Sequence, residues 1–322
     1  MEEHHPIRLR GSLKQQKKRT RSADTLRFGP IMQALKALHS ASAPDDMTPD
    51  ELEWQRKMQD ITGRLTAPMV GLSWEPFDLD GIPAAWMRRK NPHKRNHAIL
   101  YCHGGGYTSG NLGYSRVLAS KLTHVTGYDV LTFEYRLAPE HPYPAAVEDA
   151  LLAWDHLMYL GYGARDITVV GDSAGGNLAL VLCRRLREMN RMMPEALVLM
   201  SPWTDMTASG PSYAERQDVD PMLTPDYIKA VRSAYAPGAD LTDPDLSPVF
   251  GSFESFPPTL IQVGTHEILY SDAEQLAEKL QAASIPCTLE VYEDMWHVFQ
   301  MFPMKKATAA MTSISHFLLD LR

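Results

Sequence analysis

Apolar residues in the first part of the chain recur at helical spacing, and from about residue 72 they do not. In "PIMQALKALHS", Ile31, Leu35 and Leu38 fall on one face of a helix. A second helix is predicted from "TPDE", where Thr48 caps, Pro49 takes the first helical position and Glu51 completes a capping box, with Gly63 as the stop. "SWEPFDLDGIPAAWMRR" then reads as a β-hairpin turning at Asp80-Gly81. Six short, nearly continuous apolar runs follow: "HAILYCH", "DVLTFEY", "DITVVGDS", "ALVLMSP", "TLIQVG" and "CTLEVYED". Most are separated by helical stretches. Alternation of this kind predicts a mainly parallel sheet of eight strands, the hairpin included, covered by helices on both faces.

One stretch breaks the alternation. From about Trp203 to Phe256 the chain is rich in Pro, Asp, Ser and Gly, and it carries one further helix with Thr224 as cap and Pro225 at the first position. An excursion of this length is far longer than a plain connection and reads as a functional insertion. The expected organisation is a mobile basic arm over 1–27, a helical cap from 28–66 and 205–245, and a catalytic core from 67–204 and 246–322.

Composition narrows the class. With 322 residues, 44% hydrophobic and 22% charged, the chain has the make-up of a folded globular protein. No apolar run approaches the roughly 20 residues of a membrane span. The net charge of −7 hides seven Lys/Arg between Arg8 and Arg21, without which 25 basic residues face 39 acidic ones. That run lacks interleaved aromatics and regular apolar spacing, so a solvated arm is expected and no nucleic-acid partner. The N-terminal stretch has no apolar signal-like core, and Cys102, Cys183 and Cys287 are spaced neither as pairs nor as metal ligands. Reduced thiols in a cytoplasmic protein are the expectation.

The chemistry concentrates in four places. Gly171-Asp172-Ser173-Ala174-Gly175 matches G-x-S-x-G between an apolar strand and a helical run, the context of a nucleophile elbow. The amide of Ala174 and the positive end of the following helix then face the reacting centre. "YCHGGGYTSG" places three glycines after a strand, so that backbone amides converge on an anionic oxygen, while His103 orders the loop. His297 follows the last strand and is the best placed of twelve histidines to serve as base, with His266 as its rival. The triad acid belongs just after "TLIQVG", where Glu267 and Asp272 both stand. Asp272 has a structural explanation, as a first-turn acid in a "SDAE" capping box begun by Ser271. Glu267 has none and is the expected acid.

These residues resemble the hormone-sensitive-lipase-like carboxylesterases of the α/β-hydrolase fold. The resemblance rests on His103-Gly104-Gly105-Gly106, "YRLAPEHPYPAAVEDA" (135–150), Gly171-Asp172-Ser173-Ala174-Gly175-Gly176, "SPWTD" and His297. It implies an α/β-hydrolase with a helical cap and a Ser173/Glu267/His297 triad. It also implies an oxyanion hole from Gly104, Gly105 and Ala174, and a homodimer through the edge of the last strand. Where many members carry Asp-Pro-Leu, this chain has Glu267-Ile268-Leu269. The expected activity is hydrolysis of short-to-medium acyl esters of small molecules through an acyl-enzyme, with no metal and no cofactor. An amidase or deacetylase on the same triad is the alternative, and a non-catalytic receptor for a small ligand stands further off.

Overall fold

The computed structural model describes residues 48, 50, 52–54, 56–57, 69–90 and 97–322. The basic arm, the helix predicted around Ile31 to Leu38, Pro49 and Glu51 of the capping box, and Gly63 lie outside the described residues. Of the second predicted helix, Asp50, Leu52–Trp54, Arg56 and Lys57 are helical, and the Leu52 amide donates to the Thr48 carbonyl at 3.0 Å.

The hairpin forms as its sequence predicts. Strands β1 (Leu72–Leu79) and β2 (Ile82–Arg89) pair antiparallel, with Leu79 opposite Ile82 across the Asp80-Gly81 turn. Both turn residues have positive φ, 49° and 90°, the conformation that suits a two-residue hairpin to the twist of its strands. The other strands are β3 (Ala98–Cys102), β4 (Asp129–Phe133), β5 (Ile167–Asp172), β6 (Ala196–Met200), β7 (Thr259–Gly264) and β8 (Cys287–Tyr292). Sheet order is β1-β2-β4-β3-β5-β6-β7-β8, antiparallel through β1-β2-β4 and parallel from β4 onward.

Every residue of β3, β5, β6 and β7 is buried, which explains why these runs show no polar alternation. On one face lie α1 (Leu112–Thr126) and, at the end of the chain, α7 (Lys305–Asp320), packed over Ile99, Tyr101, Val130, Val170 and Val198. On the other lie α2 (Ala145–Tyr159), α3 (Ala174–Glu188) and α6 (Tyr270–Ala282), over Leu100, Leu131, Val169, Leu197, Leu199 and Ile261. Each such aliphatic side chain contributes about 1.5–3 kcal/mol when fully buried.

The insertion holds a short helix, α4 (Ser212–Glu215), and α5 (Pro225–Tyr235). Thr224 caps α5 as predicted, its hydroxyl accepting the Tyr227 amide at 3.1 Å. Tyr227, Ile228, Val231 and Tyr235 turn into the core, and Tyr235 stacks flat on Tyr107 with ring centroids 3.8 Å apart. Arg56 joins the N-terminal helical stretch to the same region. Its guanidinium grips both oxygens of Glu140, at 2.8 and 2.9 Å, and donates to the carbonyls of Thr108 and Ala138.

One predicted helix start is different. The capping box at Ser271 does not form, because α6 begins earlier, at Tyr270, with no side chain capping it. Ser271 Oγ is held instead by Ser212 of α4.

Candidate active site

Strand β5 passes into α3 through Ser173, whose φ of 54° and ψ of −122° no unstrained side chain adopts readily. Such a conformation costs on the order of 1–3 kcal/mol. It is held by the Ser173 amide donating to the Met200 carbonyl at 3.0 Å, and by the Ser173 carbonyl accepting the amides of Gly176 and Trp203. The turn is tight enough to require glycine on both sides. A β-carbon at Gly171 would collide with the Gly175 carbonyl, and one at Gly175 with the Cys102 carbonyl.

The loops after β6, β7 and β8 bring the rest together. Ser173 Oγ lies 2.9 Å from His297 Nε2, and His297 Nδ1 lies 3.1 Å from Glu267 Oε2. Glu267 is fully buried, and its other oxygen accepts the Gly264 amide at 2.5 Å and the Ser201 hydroxyl at 2.9 Å. Those two donors leave Oε2 for the imidazole and fix Nδ1 as the protonated nitrogen, so that Nε2 accepts from Ser173. Ser201 also accepts the amide of Val298 at 3.1 Å, which ties the residue after His297 to the carboxylate that faces its ring. Burial by itself would push the His297 pKa down. The hydrogen bond and charge of Glu267, with Asp220 and Asp172 behind them, outweigh it and leave the pKa above its ordinary value of 6.5.

The two rivals named in the sequence lie elsewhere. His266 pairs loosely with Asp294, 3.9 Å away, and burial lowers its pKa. Asp272 is fully buried, but its Oδ2 accepts the amides of Thr204 and Asp205 at 2.8 and 2.9 Å, fastening the "SPWTD" loop to α6. Burial lifts its carboxyl to about 8.

The glycine loop corrects one expectation. The amide of Gly104 is already committed, donating to Asp172 Oδ1 at 3.0 Å. Among the described residues, the amides of Gly105, Gly106 and Ala174 donate to no protein acceptor. Gly106, which the sequence reading passed over, therefore replaces Gly104 among the available donors. Asp172 is a knot in its own right, fully buried, accepting Tyr101 and Tyr114 hydroxyls at 2.6 Å each. His103 orders the loop from behind. Its Nδ1–H donates to the Gly104 carbonyl at 2.8 Å, its ring stacks on Tyr135 at 4.1 Å, and burial lowers its pKa to about 4.

A family model described as the alpha/beta hydrolase fold matches residues 99–301. An esterase of Acinetobacter venetianus is 36% identical over 226 residues, covering 69% of this chain and 75% of its own. An acetyl-hydrolase of Streptomyces hygroscopicus is 34% identical over 263 residues, covering 78% and 87%. A crystal structure of an esterase from the bacterial hormone-sensitive lipase family superposes with a TM-score of 0.84 at 32% identity, over 92% of this chain and 98% of that one. With its sheet order, its strained serine between β5 and α3 and these relatives, the chain belongs to the α/β-hydrolase fold family, among the hormone-sensitive-lipase-like esterases.

Proposed function

We propose that the protein is a serine carboxylesterase that hydrolyses short-to-medium acyl esters of small molecules through an acyl-enzyme. The observation that carries this reading is the unbroken line of contacts from Ser173 Oγ through His297 to Glu267. His297 Nε2 takes the serine proton as Oγ attacks the ester carbonyl, and the ring becomes an imidazolium facing Glu267. The oxyanion is received by the amides of Gly105, Gly106 and Ala174, each worth about 10²–10³ in turnover by analogy with other such donors. His297 then returns its proton to the departing alcohol, and a water molecule repeats the sequence on the acyl-serine.

The cap is assigned to 28–66, of which Asp50, Leu52–Trp54, Arg56 and Lys57 are helical among the described residues, and to 205–245. What supports it is that Arg56 bonds the carbonyls of Thr108 and Ala138, and that a β-carbon on Gly106 would lie 2.9 Å from Val231 and 3.2 Å from the Tyr227 hydroxyl. α5 thus packs directly on the glycine loop, which argues for a short acyl site. No described helix is long and apolar enough to cross a membrane. A cytoplasmic location is supported by three free thiols. A homodimer is supported by the outer edge of β8, which no strand among the described residues pairs with and where Val291 is 44% exposed.

Labelling with a serine-directed fluorophosphonate, together with p-nitrophenyl ester turnover, tests the reading. Ser173→Ala is expected to abolish both while keeping the circular dichroism of the parent. Retention of a tenth of the parent's ester turnover would end the proposal.

A further inference from the structure

Asp220 is a buried carboxylate that the steps above do not use. It belongs to the insertion, between α4 and α5, yet only 4% of it is exposed. Its two oxygens serve two different parts of the chain. Oδ1 accepts the amides of Met222 and Leu223 at 2.8 and 3.0 Å and so shapes the turn into α5. Oδ2 accepts the amide of Ile268 at 2.8 Å, the residue that directly follows Glu267.

An ionised carboxylate is the side chain whose two oxygens satisfy all three amides, yet a buried carboxylate without a cationic partner is expensive. Among the described residues no Lys or Arg forms an ion pair with Asp220. Arg216, one turn earlier, donates to the Thr265 carbonyl and lies over the Tyr270 ring at 3.6 Å. The titratable groups whose charges act on the Asp220 carboxyl are His297 and Glu267. Among the described residues, the cation that acts on it is therefore the imidazolium of His297, which forms during turnover and on protonation of the ring.

We propose that Asp220 is a positioning residue for ester hydrolysis: it fastens the lead-in of α5 to the loop carrying Glu267 and adds a second negative charge behind the His297 imidazolium. This inference rests on the reading of Ser173, His297 and Glu267 given above. The electrostatics agree with it. Burial and the neighbouring Glu267 charge raise the Asp220 carboxyl, to about 6, against the pull of His297 and of the Ile268 and Met222 amides. Asp220 is in turn among the groups that raise His297, after Glu267 and ahead of Asp172, which stands at the end of β5. Above about pH 6 the charge is in place.

The test is a pH profile of kcat and kcat/KM on p-nitrophenyl butyrate for the full chain and its Asp220→Asn variant, which removes the charge and, with one acceptor oxygen, releases the amides on one side of the carboxyl. kcat is expected to fall about tenfold with KM nearly unchanged, as for an interaction made in the transition state. The acid limb of kcat/KM is expected to move down by about half a unit, because His297 must be neutral to act and loses a charge that favours its protonation. A merely structural brace would lower kcat and leave the limb where it was. Asp220→Glu restores the charge on a longer side chain, so the limb should return to its wild-type position while kcat stays below wild type.

An unmoved limb or a wild-type kcat in Asp220→Asn overturns the inference. So does a displaced limb or a wild-type kcat in Asp220→Glu. Asp220→Ser, which leaves room for water on the amides, takes the place of Asn if that variant fails to fold, and Glu decides alone if both fail. Ser173→Ala is run in parallel. Turnover surviving there would refute the active site itself, whatever Asp220 does.

Discussion

Replacing Glu267 by Gln changes one atom and two consequences follow from its surroundings. Gln has a single acceptor oxygen, and the Gly264 amide, 2.5 Å from Oε1, can only donate. The Gln oxygen is thus held on the Gly264 and Ser201 side, and the amide NH₂ is turned toward His297 Nδ1. Facing a donor, Nδ1 must give up its proton, and the proton moves to Nε2, where it blocks acceptance from Ser173. The imidazolium also loses its partner. At the observed 3.1 Å and an effective dielectric of about 20, two unit charges attract by about 5 kcal/mol. That corresponds to about 10³–10⁴ in rate, the size expected when a triad histidine is left in the wrong tautomer. Steady-state kcat on p-nitrophenyl butyrate measures it, with the Tm confirming that the variant is folded. A Glu267→Gln enzyme within tenfold of wild type would refute the assignment of Glu267 and the account of its hydrogen bonds together.

The other acid of the same loop should behave in the opposite way. Asp272→Asn is expected to keep kcat within about threefold, since Asp272 serves the Thr204 and Asp205 amides while Glu267 holds His297. With its folded pKa raised to about 8, Asp272 binds a proton on folding and loses stability as pH rises toward that value. Tm measured from pH 4 to 8 should therefore fall less steeply in the variant, and an unchanged slope would contradict this. In a crystal of a phosphonate adduct, the phosphoryl oxygen is expected about 2.7–3.1 Å from the amides of Gly105, Gly106 and Ala174. A contact from Gly104 in place of Gly106 would reverse that correction. Against esters of increasing acyl length, kcat/KM is expected to peak between about two and eight carbons, because each further buried methylene gains about 0.8 kcal/mol only while α5 leaves room for it. A maximum beyond twelve carbons would show that Tyr227 and Val231 do not close the site.

Much of this was legible in the sequence because it is local. The elbow needs glycine at fixed offsets from its serine, so Gly171 and Gly175 announce both the turn and the strand and helix beside it. The hairpin at Asp80-Gly81 and the start of α5 at Thr224-Pro225 are local in the same sense. Glu267 was legible by elimination, since it lay between a strand and a helix with no structural duty there. The elimination points to the carboxylate that lies beside His297, although its premise about Ser271 does not hold: Asp272 fastens the "SPWTD" loop, while the Ser271 hydroxyl is taken by Ser212, 59 residues away.

What escaped the sequence depends on segments that meet only in the folded chain. Which glycine amides remain available cannot be read from "HGGG", because the answer lies with Asp172, 68 residues later. That carboxylate places negative charge close to where an oxyanion would form, an arrangement that opposes catalysis unless the charge is answered. Two tyrosine hydroxyls and the Gly104 amide answer it, and in doing so they fix the first glycine, while the next two amides meet no acceptor among the described residues. Ser201 and Asp220 follow the same logic on the other side of the serine. One joins the loop after β6 to Glu267 and to the residue after His297, and the other joins the insertion to the residue after Glu267. Neither matches a motif, because each is defined by loops distant in sequence arriving together. The reacting groups thus announce themselves by residue type and spacing, whereas the groups that hold them carry ordinary residue types and are found only through their contacts.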